Sequence, residues 1–409
     1  MKYSDYVNPK YRPNSGDLIC TFYIEPNGVP VKDAAGGVAA ESSIGTWTDI
    51  STSKKYVERL AAKVFSIKGN VIKISYPQEL FEAGNIPNIL SSVAGNVFGM
   101  KNVKNLKLLD MELPDELISS FRGPAYGIEG VRRMLAIRRR PLVGTIIKPK
   151  IGLSSEDHAK VAYDAWIGGC DIVKDDENLS SQKFNDFQTR LSKTLELRDK
   201  AQTESNERKA YLVNVTAETK EMLRRAQLVQ DAGGEYAMVD VLTVGWSGLE
   251  TLRNENFKLI LHGHRAGHAA ITKSPKHGIS MKVLARLSRL AGIDQLHVGA
   301  AIGKMFEEKE EVLSNCDALT SKMAGLKKAL PVASGGLYPG LVPGILRIFG
   351  NNVVIQAGGG IHAHKLGTRA GAKAMRDALY AAMKEIPLEE YAKQSKELKI
   401  ALMQWGKSK

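Results

Sequence analysis

The chain has 409 residues, of which 57 are Lys or Arg and 44 are Asp or Glu, giving a formal net charge of +13 at pH 7. A hydrophobic fraction of 43% and a charged fraction of 25% exclude a disordered chain, and the length suits two domains or one large α/β barrel with an added module. Three widely spaced cysteines (Cys20, Cys170, Cys316) match no disulfide framework or zinc spacing, and neither a signal-peptide core nor a membrane-spanning apolar run is legible, so the expectation is a soluble, cytoplasmic protein without a membrane partner.

Residues 1–138 mix short strand-like runs, LICTFYIEP (18–26), NVIKISYP (70–77) and NLKLLDMELP (105–114), with helical stretches such as SKKYVERLAAKVF (53–65). This predicts a small α+β module of ferredoxin-like type with an antiparallel sheet. GPAYGIEGVRRML (123–135) reads as a loop entering a junction helix. The densest basic run, RRMLAIRRR (132–140), has helical spacing and is expected to form a solvated helix face. The positive charge raises the question of polyanionic partners. No zinc finger, RNP motif or basic aromatic stripe accompanies it, so phosphorylated metabolites are expected rather than nucleic acid.

From residue 139 to 409 the rhythm changes. Eight β-rich runs alternate with amphipathic helical segments: LVGTIIKPK, CDIVKDDE, YLVNVTA, YAMVDVLTV, FKLILHGHR, IDQLHVGA, LPVASGG and NNVVIQAGGG. Eight strand–helix units predict a (β/α)8 TIM barrel, with an open doubly wound sheet as the alternative. Polar residues or glycines end nearly every run. Lys148 and Lys150 end the first; Lys174, Asp176 and Glu177 the second; Asn214 the third. Asp240 lies in the fourth, His264 and Arg265 end the fifth, His297 the sixth, Ser334, Gly335 and Gly336 the seventh, and Gly358, Gly359 and Gly360 the eighth. A barrel gathers such ends at one mouth, where its active sites lie.

Several of these ends can carry chemistry. In KDDEN (174–178) Asp176 and Glu177 offer hard oxygen ligands suited to Mg²⁺, although the run also suits a solvated acidic turn. Lys174 cannot ligate a metal as an ammonium; it can pair with the acids or, converted by CO₂ to an anionic carbamate, become a third ligand. In IIKPKIG (146–152) strand alternation is expected to point Lys148 and Lys150 to one side. HGHRAGH (262–268) supplies His264 and Arg265 for phosphate and hydroxyl recognition, with structural roles for His262 and His268. HVGAAIGKM (297–305) reads as a Gly-rich mobile loop bearing Lys304. The glycine loops after the seventh and eighth strands suit phosphate binding through backbone N–H groups.

These segments, together with AAESSIGTW (39–47) and AGNVFGMK (94–101), resemble the large subunit of ribulose-1,5-bisphosphate carboxylase/oxygenase. The resemblance runs over essentially the whole chain and is nearest the archaeal, form III, methanogen-like branch. It implies Mg²⁺-dependent carboxylation of ribulose 1,5-bisphosphate by CO₂ to two 3-phosphoglycerate, with an O₂ side reaction. Lys174 would be the carbamylated lysine, ligating Mg²⁺ with Asp176 and Glu177, and proton removal at C3 would form an enediolate. Lys148 would be the acid/base lysine, tuned by Lys150, and Lys304 would stabilise the forming carboxylate. His264 would contact substrate hydroxyls; Arg265, His297 and Ser334 would hold the substrate and one phosphate. Gly335, Gly336, Gly358 and Gly359, with Thr46 and Trp47, would hold the other phosphate.

The resemblance also implies that Glu41, Thr46, Trp47 and Asn96 complete a neighbouring subunit's site, in a homodimer or an oligomer of dimers without a small subunit. The chain departs from the family pattern in places. Ile146 stands where a threonine is common, and the lid reads AAIGKMFEE. A segment usual between lid and seventh strand is missing, Tyr338 replaces a histidine, and GGGIHAHKLG lacks the usual Pro-Asp. The alternative is therefore a RuBisCO-like enolase, isomerase or decarboxylase acting on another phosphorylated sugar or keto compound.

Overall fold

The computed structural model describes residues 2–48, 51–302 and 307–406. Two compact units divide the chain: Met1–Arg122 with Gly267–Ala291 and Lys322–Leu326, and Gly123–Ala266 with Gly292–Ser321 and Lys327–Lys409. The helix Gly127–Met134, which lies before the boundary expected at residue 138, stands with the second unit.

In the first unit, strands β1 (Leu18–Pro26), β2 (Lys63–Lys68), β3 (Val71–Tyr76) and β4 (Val103–Glu112) form an antiparallel sheet in the order β4-β1-β3-β2. With helices Val31–Glu41 and Ile86–Val93 between them, the chain order is βαββαβ, the ferredoxin-like arrangement. On β1 every second residue from Leu18 to Ile24 is fully buried, as half-buried strands require. A short fifth strand, β10 (Gly278–Ile279), adds parallel to β4, so the sheet is mixed.

The segment SKKYVERLAAKVF is not the helix its composition suggests. Lys55–Leu60 forms a 3-10 turn and the chain then extends as β2. The run KVFSIK carries β-branched and aromatic residues, and Gly69 (φ +57°) with Asn70 reverses it into β3, so strand pairing overrides the local helical preference. The helix Met281–Leu290, which follows the fifth barrel strand in sequence, also belongs to this unit. Lys282 and Arg286 both grip Asp110 of β4, at 2.6 and 2.7 Å.

The second unit is a closed barrel of eight parallel strands: β5 (Leu142–Ile146), β6 (Ile172–Lys174), β7 (Ala210–Asn214), β8 (Tyr236–Asp240), β9 (Ile260–His264), β11 (Gln295–His297), β12 (Leu330–Ser334) and β13 (Val354–Gln356). Pairing of β11 with β9 and of β13 with β5 closes the ring. The eight strand-bearing runs expected from the sequence are these eight strands. Among the described residues, no helix is long and apolar enough to cross a membrane.

The first inward residues of the strands, Leu142, Ile172, Ala210, Tyr236, Ile260, Leu330 and Val354, pack with Ile128, Val131 and Leu135 of the 127–134 helix and its C-cap. That helix plugs the N-terminal end of the barrel with apolar side chains. Two residues further along a strand a side chain points the same way, so Lys174 shares the inward face with Ile172, and Asp240 with Met238. The polar set therefore crowds the opposite mouth.

The run RRMLAIRRR is not a solvated helix face. The helix stops at Met134, and Ala136 takes φ +57°. Arg132 is buried and donates to the carbonyls of Ile137, Arg140 and Asn351. Arg140 makes a bidentate pair with the fully buried Asp171, at 2.6 and 2.7 Å, and Arg376 lies 3.3 Å from the same carboxylate. These arginines bind carbonyls and a buried acid because the barrel folds back onto them, which periodicity alone cannot register.

Burial works to raise the Asp171 pKa, but Arg376 and then Arg140 hold it below the usual carboxylate range. With the folded pKa below the unfolded one, the contribution is full above about pH 4 and is lost as pH falls through the folded value. Asp171→Asn is therefore expected to lower the thermal midpoint most at neutral pH, with the gap to wild type closing on acidification. A gap that stayed constant from about pH 7 to about pH 3 would contradict this assignment.

Candidate active site

At the C-terminal end of β6 the backbone alternation sorts KDDEN into two sets. Asp175 points outward and is fully buried: it accepts from Tyr211 Oη at 2.5 Å, Asn214 N at 3.0 Å and Arg190 Nε at 3.2 Å, with His158 Nε2 at 3.0 Å. Its role is to anchor the strand end to the surrounding helix Phe187–Ser205, which carries Arg190. Lys174 and Asp176 point into the barrel mouth, and both are essentially unexposed.

Lys174 Nζ donates to Asp175 O at 2.7 Å and lies 3.7 Å from Glu177 Oε2. Burial lowers its pKa, although Glu177, Asp176 and Asp240 oppose that shift. Burial also works to raise the Glu177 carboxyl, but Lys174 and then His264 bring it down to about 2. Asn214, at the end of β7, donates to the carbonyls of Glu177 and Leu179 at 3.1 and 2.9 Å and so fixes the turn that presents both acids.

Lys148 and Lys150 both reach this acidic pair, but strand alternation is not the cause, because β5 ends at Ile146. The loop beyond it brings Lys148 Nζ to 2.7 Å from Asp176 Oδ2 and Lys150 Nζ to 3.9 Å from Glu177 Oε1. Gly358 leaves room for this side chain: a Cβ on it would stand 3.1 Å from Lys148 Cε, a tight contact. The glycine loop 358–360 also abuts the loop after β12, since a Cβ on Gly360 would fall 2.0 Å from Leu337 O. Gly335 and Gly336 take φ +118° and +71°, a backbone that glycine adopts without strain.

Across the mouth, His264 Nδ1 faces Asp240 Oδ1 at 2.6 Å and its Nε2 lies 3.7 Å from Glu177 Oε2. His262, His297 and Ser334 form a one-way hydrogen-bonded chain. Gln295 Nε2 donates to Tyr236 Oη at 3.0 Å, leaving Gln295 Oε1 to accept from His262 Nδ1 at 3.0 Å. A neutral His262 then accepts at Nε2 from His297 Nε2, 2.9 Å away, and His297 Nδ1 accepts from Ser334 Oγ at 2.7 Å. Burial supports the neutral forms, pushing His262 down to about 3 and His297 well below its ordinary value. Arg265, also buried, adds its charge beside His297 and pairs with Glu307 at 2.5 Å.

Thus Lys148, Lys150, Lys174, Asp176, Glu177 and His264 meet in one linked cluster, and His297 joins Ser334. Lys304 lies outside the described residues. In the first unit Glu41 accepts from Tyr3 Oη at 2.8 Å, Thr46 is half-buried, and Trp47 and Asn96 are exposed, Trp47 at 82%. His268 is also in that unit, bonded to Thr272 Oγ1. Sequence reasoning placed Asp240 in the fourth run and gave His262 a structural role without pairing either to a partner, and it missed Gln295. Their signal was present, since each lies on the inward-facing period of its strand.

The donor set fits a hard divalent cation in one respect and falls short in another. Asp176 and Glu177 supply two carboxylates, but among the described residues no group of three His, Cys, Asp or Glu side chains is placed to hold a metal. The buried Lys174 amine, 3.7 Å from Glu177 Oε2, is not an anionic ligand as it stands.

The sequence profile of the ribulose bisphosphate carboxylase large chain, catalytic domain, matches residues 127–405, and that of its N-terminal domain matches residues 5–117. Ribulose bisphosphate carboxylase from Pyrococcus furiosus is 48% identical over 410 residues, covering 99% of this chain and 98% of the relative. The enzyme of Methanocaldococcus jannaschii is 49% identical over 425 residues, covering 98% and 100%. The octameric enzyme of Pyrococcus horikoshii, solved with sulfate, superposes with a TM-score of 0.97 at 46% identity, covering 100% of this chain and 98% of that one. The dimeric archaeal enzyme of Hyperthermus butylicus superposes with a TM-score of 0.93 at 42% identity, covering 99% and 100%. Likeness of this extent, in both domains and at this identity, means that the chain belongs to the ribulose bisphosphate carboxylase large-chain family of enzymes.

Proposed function

We propose that the protein carboxylates ribulose 1,5-bisphosphate with CO₂ to give two 3-phosphoglycerate, with O₂ as a competing reactant. The observation that carries this reading is the buried amine of Lys174, 3.7 Å from Glu177 Oε2 and within electrostatic reach of Asp176, with Lys148 paired to Asp176 and Lys150 near Glu177. Burial favours the neutral amine, whose lone pair adds to CO₂ with loss of one proton to give a carbamate. Lys174 in that form, Asp176 and Glu177 would hold Mg²⁺. When bound, Mg²⁺ supplies a Lewis acid that eases negative charge on substrate oxygens.

The remaining chemistry belongs to the chain's own groups. Asp240 orients His264 through Nδ1, which leaves Nε2 facing the mouth for a substrate hydroxyl. Lys148 Nζ, 2.7 Å from Asp176 Oδ2, would deliver a proton to a carbanion at the end of the reaction, with Lys150 as its neighbour. Arg265 suits one phosphate, with His297 and Ser334 beside it once the bond between them opens to free the Ser334 hydroxyl, and the loops of Gly335, Gly336, Gly358 and Gly359 suit the other, with Thr46 and Trp47. Lys304 would steady the new carboxylate.

Glu41, Thr46, Trp47 and Asn96 would serve a neighbouring subunit's site. The exposure of Trp47 and Asn96 supports a homodimeric unit, as do relatives that are dimeric or octameric. No small subunit, nucleic acid or membrane enters this reading.

The test is incubation with Mg²⁺, ribulose 1,5-bisphosphate and labelled bicarbonate without oxygen. Labelled 3-phosphoglycerate is expected from wild type and none from Lys174→Ala. If wild type releases no more label than the variant, the carboxylase reading fails; C3 proton exchange persisting without label would favour the enolase-type alternative.

A further inference from the structure

Arg265 stands at the end of β9 with an acid already on it. Its Nη2 lies 2.5 Å from Glu307 Oε1, and the two side chains are 6% and 0% exposed. Its Nη1 is also buried and meets no hydrogen-bond partner among the described residues. The pair is built in rather than incidental. Gly299, at φ +93°, lies against it, and a Cβ there would come 3.3 Å from Arg265 Nη2 and 3.5 Å from the Glu307 carboxyl carbon. Glu311 adds a second negative charge bearing on the same guanidinium.

A buried guanidinium left without an anion is strongly disfavoured. Carboxylate and phosphate both offer paired oxygens to the guanidinium fork, so they compete for one place. We propose that Glu307 is an affinity-setting residue whose carboxylate occupies the phosphate subsite of Arg265, so that a phosphate group enters only by displacing it. This rests on the reading in which Arg265 receives a substrate phosphate.

The displacement cost is the same for every phosphate ligand at this subsite, so all are weakened by one factor. The consequence differs with total binding energy. Inorganic phosphate or a monophosphate, holding on by one anionic group, is driven off at ordinary concentrations. A bisphosphate anchored also at the glycine loops retains enough affinity to fill the site. The carboxylate thereby keeps Arg265 neutralised between turnovers and sets a threshold that a doubly phosphorylated substrate passes.

The experiment measures binding of inorganic phosphate and of ribulose 1,5-bisphosphate by titration calorimetry, and the rise in thermal midpoint with phosphate. The proteins are wild type, Glu307→Gln, Glu307→Gly, Arg265→Gln and the Glu307→Gln/Arg265→Gln double variant. Both Glu307 variants are expected to bind each ligand about tenfold tighter than wild type, with a larger phosphate-dependent rise in midpoint. The double variant is expected to lose that gain. A merely structural Glu307 would lower the midpoint without making it more responsive to phosphate, and that result would overturn the proposal. If Arg265→Gln weakens bisphosphate binding but neither Glu307 variant gains affinity, the proposal fails and the phosphate reading stands. If Arg265→Gln leaves bisphosphate binding unchanged, the phosphate reading of Arg265 itself fails.

Discussion

Lys148→Met is expected to cut the rate of 3-phosphoglycerate formation by about 10²–10⁴-fold, the range associated with a positioned acid or base. The methionine keeps an unbranched stem of similar length, so the packing of Lys148 Cε close under Gly358 is largely retained. What is lost is the Nζ that stands 2.7 Å from Asp176 Oδ2. Lys148→Arg separates proton transfer from charge. It restores a cation beside Asp176 but carries a group that does not release a proton near neutral pH. Activity is expected to stay low in the arginine variant while C3 proton exchange with solvent persists. Carboxylation recovering to near wild type in Lys148→Arg would show that only the charge matters.

The largest stability effect is expected at Asp294, far from the polar mouth. Its carboxylate is fully buried and accepts four hydrogen bonds. Oδ1 takes Tyr126 N and Gly127 N at 2.7 and 2.8 Å; Oδ2 takes Arg253 Nη2 and Leu261 N at 2.8 and 2.9 Å. It therefore ties the start of the plugging helix to β9 and to the helix Val241–Asn254 that carries Arg253. Asp294→Ala removes all four acceptor contacts and leaves a buried arginine short of its counterion, a loss of about 3–5 kcal/mol. Asp294→Asn keeps one acceptor oxygen and should lose less. Denaturant midpoints checked by circular dichroism would test the order. An alanine variant as stable as wild type would mean that the plug does not depend on this clamp.

The barrel was legible because two patterns coincide along the chain: each β-rich run is short and apolar, and nearly every one ends in polar residues or glycine. On β6, β8 and β12 the inward set runs from Ile172 to Lys174, from Met238 to Asp240 and from Val332 to Ser334. Alternation alone sends these polar ends to the same face as the apolar starts, which is why the mouth could be listed strand by strand. Lys174, Asp176 and Glu177 were legible from their chemistry, whereas the loop after β5, not strand register, brings Lys148 to them, and the resemblance attached the roles.

Other features were not legible, each for a stated reason. SKKYVERLAAKVF contains good helix formers, but β2 is decided by its partner β3. In RRMLAIRRR the charge pattern matches a solvated face, whereas Arg132 binds the distant carbonyl of Asn351 and Arg140 the buried carboxylate of Asp171. Asp175 is chemically indistinguishable from Asp176 in the sequence. One residue of offset turns it away from the mouth into the bonds of Tyr211 and Arg190.

The amino-acid order alone thus settles properties with a short physical range: strand period, the end of each strand at which polarity collects, and the residue types able to bind phosphate or a hard cation. It does not settle which charges neutralise one another. Arg265 meets Glu307 across 42 residues, and Arg253 meets Asp294 across 41. Those pairings exist because ring closure brings separate loops together and excludes water from them. Once water is gone, a charge must take whichever opposite charge the fold delivers, and that choice is made in three dimensions.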